Sequence, residues 1–111
     1  MKVAIIGSRT LEIANIGDYL PPDTTEIVSG GAKGVDTSAK KFALENGYKY
    51  TEFLPEYSKY RRSAPLKRNE KMVEYADCVL AFWDGKSRGT KYTVTYAEKI
   101  QKKTCVVTVS E

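Results

Sequence analysis

A chain of 111 residues with 41% hydrophobic and 29% charged side chains accommodates one globular domain, spanning 1–111, and no second. It contains no histidine, which excludes Ser-His-Asp and Cys-His nucleophile systems, HExxH metal sites and imidazole acid–base catalysis. The net charge of +4 comes from one stretch, where Lys59, Arg61, Arg62, Lys67, Arg68 and Lys71 are opposed only by Glu70.

Residues 2–6 form a compact β-branched run that ends at Gly7, and they predict a first, central strand. A helix is expected over 11–20, closed by Pro21 and Pro22. A second strand is expected over 26–29. A helix over 34–46 then buries Val35, Ala39, Phe42 and Ala43, and Asn46-Gly47 stops it. Residues 48–54 predict a less apolar strand near an edge, ended by Pro55. A polar, Tyr-rich connection leads to a helix over 64–75, with Pro65 in its first turn and Leu66, Met72, Val73 and Ala76 facing the core. Residues 78–83 are apolar throughout, as a strand covered on both faces should be. A helix over 90–102 and a strand over 104–109 complete the alternation.

That order is β-α-β-α-β-α-β-α-β. It predicts a Rossmann-like three-layer α/β/α fold with a five-stranded parallel sheet. Cys78 and Cys105 each fall in a strand expected to be buried, and read as small hydrophobes of a reduced core. No CxxC spacing supports zinc or dithiol chemistry. The longest apolar run, 78–83, is far too short to span a bilayer, and no signal segment is expected before the first strand. A cytoplasmic location is the resulting expectation.

Three glycine-bearing loops follow apolar runs and would emerge on one edge of such a sheet. They are Gly7-Ser8-Arg9, Ser29-Gly30-Gly31-Ala32-Lys33-Gly34-Val35-Asp36 and Asp84-Gly85-Lys86-Ser87-Arg88-Gly89-Thr90. Glycine lets backbone N–H groups approach a ligand, and the helices that follow present their positive ends to it. The loops therefore predict a phosphate-bearing ligand at the C-terminal edge of the sheet. Neither a Walker A loop nor GxGxxG is present, since Leu80 stands where the first Walker glycine belongs and Gly7-Ser8-Arg9-Thr10 follows the first strand. Lys33 supplies a point charge, and Asp36 either accepts a sugar hydroxyl or caps its own helix. Thr90 reads as an N-cap, and Trp83 as core rather than a stacking platform. Arg68 could fork onto phosphate, but Arg68 and Asn69 read first as solvated helix positions. The basic stretch reads as a solvated helix face before a nucleic-acid footprint.

Together, Gly7-Ser8-Arg9, the loop from Ser29 to Asp36, Arg68-Asn69 and Ser87-Arg88-Gly89-Thr90 resemble the SLOG superfamily. That group includes the SMF/DprA DNA-processing proteins and the LOG nucleotide phosphoribohydrolases. The stand-alone YspA/YpsA-related branch, of bacterial and phage settings, is the most similar. The resemblance covers nearly the whole chain. It implies a Rossmann-like fold, often dimeric, with a nucleotide or nucleotide-derived ligand held as by a sensor or carrier. It also implies a ligand-binding set of Gly7, Ser8, Arg9, Gly30, Gly31, Lys33, Gly34, Asp36, Arg68, Asn69, Asp84, Ser87, Gly89 and Thr90. The LOG motif PGGxGTxxE is not matched, because Val94-Thr95 stands where its glutamate is wanted. A nucleotide hydrolase would therefore rely on Asp84 or Asp36 as catalytic carboxylate. A single-stranded nucleic-acid binder would use the stretch 57–71. No metal ligand set is evident.

Overall fold

A computed structural model describes residues 1–110. Five strands form one parallel sheet: β1 (Lys2–Gly7), β2 (Glu26–Ser29), β3 (Lys49–Glu52), β4 (Cys78–Trp83) and β5 (Lys103–Thr108), in the order β3-β2-β1-β4-β5. Three long helices are α1 (Val35–Glu45), α3 (Ala64–Tyr75) and α4 (Arg88–Lys99), with a single turn, α2 (Tyr57–Tyr60), ahead of α3. The architecture is the α/β, Rossmann-like one expected. No helix among the described residues is long and apolar enough to cross a membrane.

Side-chain alternation along the strands divides the core in two. On one face, Val3, Ile5, Ile27, Leu80 and Phe82 pack with Val35, Ala39 and Ala43 of α1. On the other, Ala4, Ile6, Val28, Val79 and Ala81 pack with Met72 and Val73 of α3 and Ala97 of α4. β1 and β4 lie at the centre and bury both faces, which explains why residues 3–6 and 78–83 are apolar throughout. β3 forms one edge, as its polarity predicts.

Two expectations fail. The helix over 11–20 is replaced by a single 3-10 turn, Ile16–Tyr19. The start of the segment is tied instead to the β1 loop and to α1: Leu11 N–H donates to Ser8 O at 3.4 Å, and Ile13 N–H to Ser38 Oγ at 3.0 Å. Asn15 and Gly17 are also weak helix formers. Leu11 and Ile16 are still buried, so the apolar spacing there reports burial alone. The second failure is Cys105, which is exposed while Cys78 is buried. Cys105 lies on β5, the other edge, on the face that α1 covers only farther across the sheet.

Candidate functional site

The order β3-β2-β1-β4-β5 makes the chain leave the β1 and β4 C-terminal ends in opposite directions, opening a crevice between them. A cavity of about 360 Å³ occupies it. Its walls come from four connections: Gly7, Arg9 and Thr10 after β1; Ala32 and Asp36 around the α1 start; Pro65, Leu66, Arg68 and Asn69 on α3; and Asp84, Ser87, Gly89 and Thr90 after β4.

Arg68 is the main departure from the solvated reading. It is 7% exposed, and Nη1 donates to Gly30 O at 2.5 Å and Phe53 O at 3.2 Å. Nε donates to Asn69 Oδ1 at 2.7 Å. Two of the three guanidinium nitrogens are thus engaged by the protein, pinning the loops after β2 and β3 beneath α3. Burial lowers the Arg68 pKa, and Asp36 opposes that shift. Asn69 passes the connection on, because its Nδ2 donates to Thr93 Oγ1 at 2.9 Å and Thr93 Oγ1 donates to Gly89 O at 2.8 Å. A continuous polar chain therefore joins the β2 loop to the first turn of α4. Thr93 was not legible as part of the site, although a buried threonine one turn past Gly89 is the only signal it could have left.

The two carboxylates differ sharply. Asp36 is buried beside the cavity, and desolvation raises its pKa despite an Ala32 N–H bond at 3.1 Å and the charge of Arg68. Asp84 accepts N–H bonds from Ser87 and Lys86, both at 2.8 Å, and a hydroxyl from Thr10 at 3.2 Å. These backbone donors hold its pKa below the usual aspartate value. Asp84 N–H in turn donates to Ser8 Oγ at 3.1 Å, tying the β1 loop to the β4 loop. Asp84 is thus a fixed anion that shapes a turn, whereas Asp36 is the carboxyl group that burial makes easier to protonate.

At the start of α4 the cap is Ser87 rather than Thr90: Ser87 Oγ accepts from Thr90 N–H at 3.4 Å. Trp83 is half-buried, and its Nε1 donates to Ser87 O at 3.0 Å, so the indole fixes the loop as well as packing.

Five of the fourteen expected ligand residues lie off this cavity. Ser8 is buried and bonded within the loops. Gly30 and Gly31 lie against protein groups: an added Cβ would stand 2.6 Å from Arg68 Cζ at Gly30 and 2.7 Å from the Glu52 carboxyl carbon at Gly31. Lys33 and Gly34 line a second, larger cavity of about 820 Å³ between residues 9–14 and α1, which meets the first at Arg9 and Thr10. That larger space lies beside α1, where the expected 11–20 helix does not form, rather than over the strand ends. The smaller cavity has the stronger case as the site because backbone dipoles and buried charge converge on it. The wall residues Thr10, Ala32, Pro65 and Leu66 were missed, since nothing in their sequence distinguishes them.

Much of the basic stretch is already paired. Lys71 bridges Glu56 at 2.7 Å and lies 5.3 Å above the Tyr60 ring, Lys67 bridges Glu70 at 3.7 Å, and Arg68 points inward. Among the described residues no group of three metal-capable side chains forms. No family model, curated protein or solved structure matches this chain.

Proposed function

We propose that the chain binds a nucleotide or nucleotide-derived ligand in the 360 Å³ cavity and acts as a sensor or carrier, as the SLOG resemblance implies. The observation that carries this reading is the position of the cavity: over the divergent ends of β1 and β4, against the first turn of a twelve-residue helix, with Arg9 and Arg68 in its wall. Its volume is at the small end of the roughly 300–1,000 Å³ range of ligand pockets. Two arginines are balanced by two aspartates, and one arginine is largely occupied by carbonyl oxygens. That balance favours a ligand bearing one phosphate over a triphosphate. Arg9 and the α4 N-terminus would meet the phosphate, and Asp36 a ribose hydroxyl.

The test is to denature the purified protein, identify any released small molecule by mass spectrometry, and then screen nucleotides by thermal shift. The expected result is a nucleotide in the supernatant or stabilisation by one, abolished in Gly89→Asp. That position is open, and an acid in the first helical turn favours the fold while repelling an anion. No released ligand and no shift with mono-, di- or cyclic nucleotides, NAD or ADP-ribose would overturn the reading.

The raised pKa of Asp36 supports a second reading, hydrolysis of an N-glycosidic or phosphoester bond in the same ligand. Release of base or phosphate on incubation, lost in Asp36→Asn while binding persists, is its mark. Asp84 is the weaker candidate because three donors already hold it ionised.

A further inference from the structure

At Arg9 and Thr10 the strand-end cavity continues through a neck into the 820 Å³ cavity beside α1. Residues 9–14 form one wall of this larger space, and the fold holds them in place. Leu11 is buried, Ile13 N–H donates to Ser38 Oγ at 3.0 Å, and Ser8 O accepts from both Leu11 and Val35 N–H. The opposite wall is the face of α1 that carries Ser38, Lys41, Phe42 and Glu45. The groove is therefore built by hydrogen bonds and burial, and it opens directly from the proposed nucleotide site.

The neck is cationic. Arg9 borders both cavities, is exposed, and makes no hydrogen bond or ion pair among the described residues. Lys33 borders the larger cavity next to it, because the start of α1 is pressed against the β1 loop: a Cβ at Gly34 would lie 2.5 Å from the Arg9 carbonyl. Lys33 is exposed and unpaired as well. The lysines that do form ion pairs among the described residues, Lys40, Lys49, Lys67 and Lys71, line neither cavity. Two free cations at a constriction suit two adjoining phosphates. Farther along α1 the lining includes Leu11, Ile13 and Phe42. The Phe42 ring is half-buried and stacked with Tyr48 at 5.6 Å. It lies about 12 Å along the helix axis from Gly34, with the hydroxyl-bearing Thr37 and Ser38 between. A nucleoside follows the same order, with a sugar near the phosphate and a flat base at the far end.

We infer that the ligand is a dinucleotide whose two nucleosides are joined by a pyrophosphate, an inference that rests on the nucleotide reading of the strand-end cavity. One nucleoside occupies that cavity, the pyrophosphate lies at Arg9 and Lys33, and the second nucleoside lies along α1 with its base against Phe42. Each half then brings one phosphate, in keeping with the charge balance of the smaller cavity. A nucleoside diphosphate would end at the neck and leave the groove unused. A nucleoside diphosphate sugar would enter it without a base for the apolar wall.

Calorimetric titration of the full chain with AMP, ADP-ribose, adenylyl-adenosine and diadenosine pyrophosphate tests this, with the guanine counterparts run in parallel. In one series or both, the pyrophosphate dinucleotide should bind about tenfold or more tighter than the other three. Amide resonances of residues 12–14 and 37–42 should shift with the dinucleotide and stay in place with AMP. Lys33→Ala should weaken the dinucleotide about tenfold, the effect of losing one charge-assisted hydrogen bond, while AMP affinity and circular dichroism are unchanged. If AMP or GMP binds and the dinucleotide is no tighter, or shifts only resonances around the strand ends, the inference falls and the nucleotide reading stands. Equal binding of ADP-ribose would remove the second base, and equal binding of adenylyl-adenosine or an unaltered Lys33→Ala would remove the pyrophosphate. If no compound of either series binds, the inference and the nucleotide reading fall together.

Discussion

The loop after β2 and the loop after β4 look like sisters in sequence, yet the structure uses their glycines for different ends. In the first, glycine makes room for the protein itself. Arg68 lies against Gly30, and Gly34 has φ +73° with the Arg9 carbonyl where a Cβ would go, at 2.5 Å. In the second, nothing lies within 4 Å of the Cβ position at Gly89, which borders the cavity. The first loop builds the site; the second leaves space in it. A glycine-rich strand-to-helix turn is thus a weak guide to ligand contact until its neighbours are known.

Substitutions can break this distinction in order of size. Gly34→Ala should be the most damaging, because it combines a backbone conformation closed to L residues with a collision against Arg9. A loss of about 3 kcal/mol is expected in urea unfolding. Gly30→Ala should cost about 2 kcal/mol by pushing Arg68 off the Gly30 and Phe53 carbonyls, a charge-assisted pair of bonds. If both variants melt like the parent, the first loop is not a seat for protein groups.

The carboxylates of the two loops sharpen the comparison through pH. Asp84 has a folded pKa below its unfolded value, so its stabilisation is present above pH 3.8 and is lost as pH falls through the folded pKa. Asp36 is reversed: its folded pKa is raised, so its ionisation costs stability, and that cost disappears as pH falls from the raised pKa toward 3.8. Unfolding midpoints measured from neutral to acid pH should therefore show opposite trends. The deficit of Asp84→Asn should shrink on acidification. Asp36→Asn should lack the relative gain that the parent obtains as its carboxyl protonates. Parallel pH profiles for the two variants would remove the assigned difference.

Gly89→Ala should be the mildest change. The helix gains at most about 0.8–1 kcal/mol from losing a glycine, less at its first turn, so unfolding should be unchanged or slightly later. Any nucleotide-induced thermal shift should fall, because the new methyl group borders the cavity. A shift equal to that of the parent would show that the ligand does not approach this turn.

The strands were the most legible elements. β2 and β4 were read with their observed boundaries; β4 is apolar at every position, as a strand buried on both faces should be, while β2 buries the polar ends Glu26 and Ser29 around Ile27 and Val28. α3 was also bounded correctly, with Pro65 marking its first turn and Met72 and Val73 its inner face. The 11–20 segment misled because Ile13, Ile16 and Leu20 recur at helical spacing, yet they reach the core from a path with only one 3-10 turn, through the weak helix formers Asn15 and Gly17. The site was legible only in part. Arg9, Asp36, Asp84, Ser87, Gly89 and Thr90 sit in the expected loops and line the cavity. The role of Arg68 depended on distance: its acceptors, Gly30 and Phe53, are 38 and 15 residues away.

Local pattern alone determined the alternation of strands and helices, the parallel sheet and the edge on which the loops gather. Those features follow from apolar periodicity and the handedness of crossovers, which are properties of short stretches of chain. Tertiary structure decided which glycines face protein and which face the cavity, that a basic residue would be buried as a clamp, and that two similar aspartates would shift in opposite directions. Each of these depends on which groups from distant segments share a small volume, since burial and hydrogen bonding act through space.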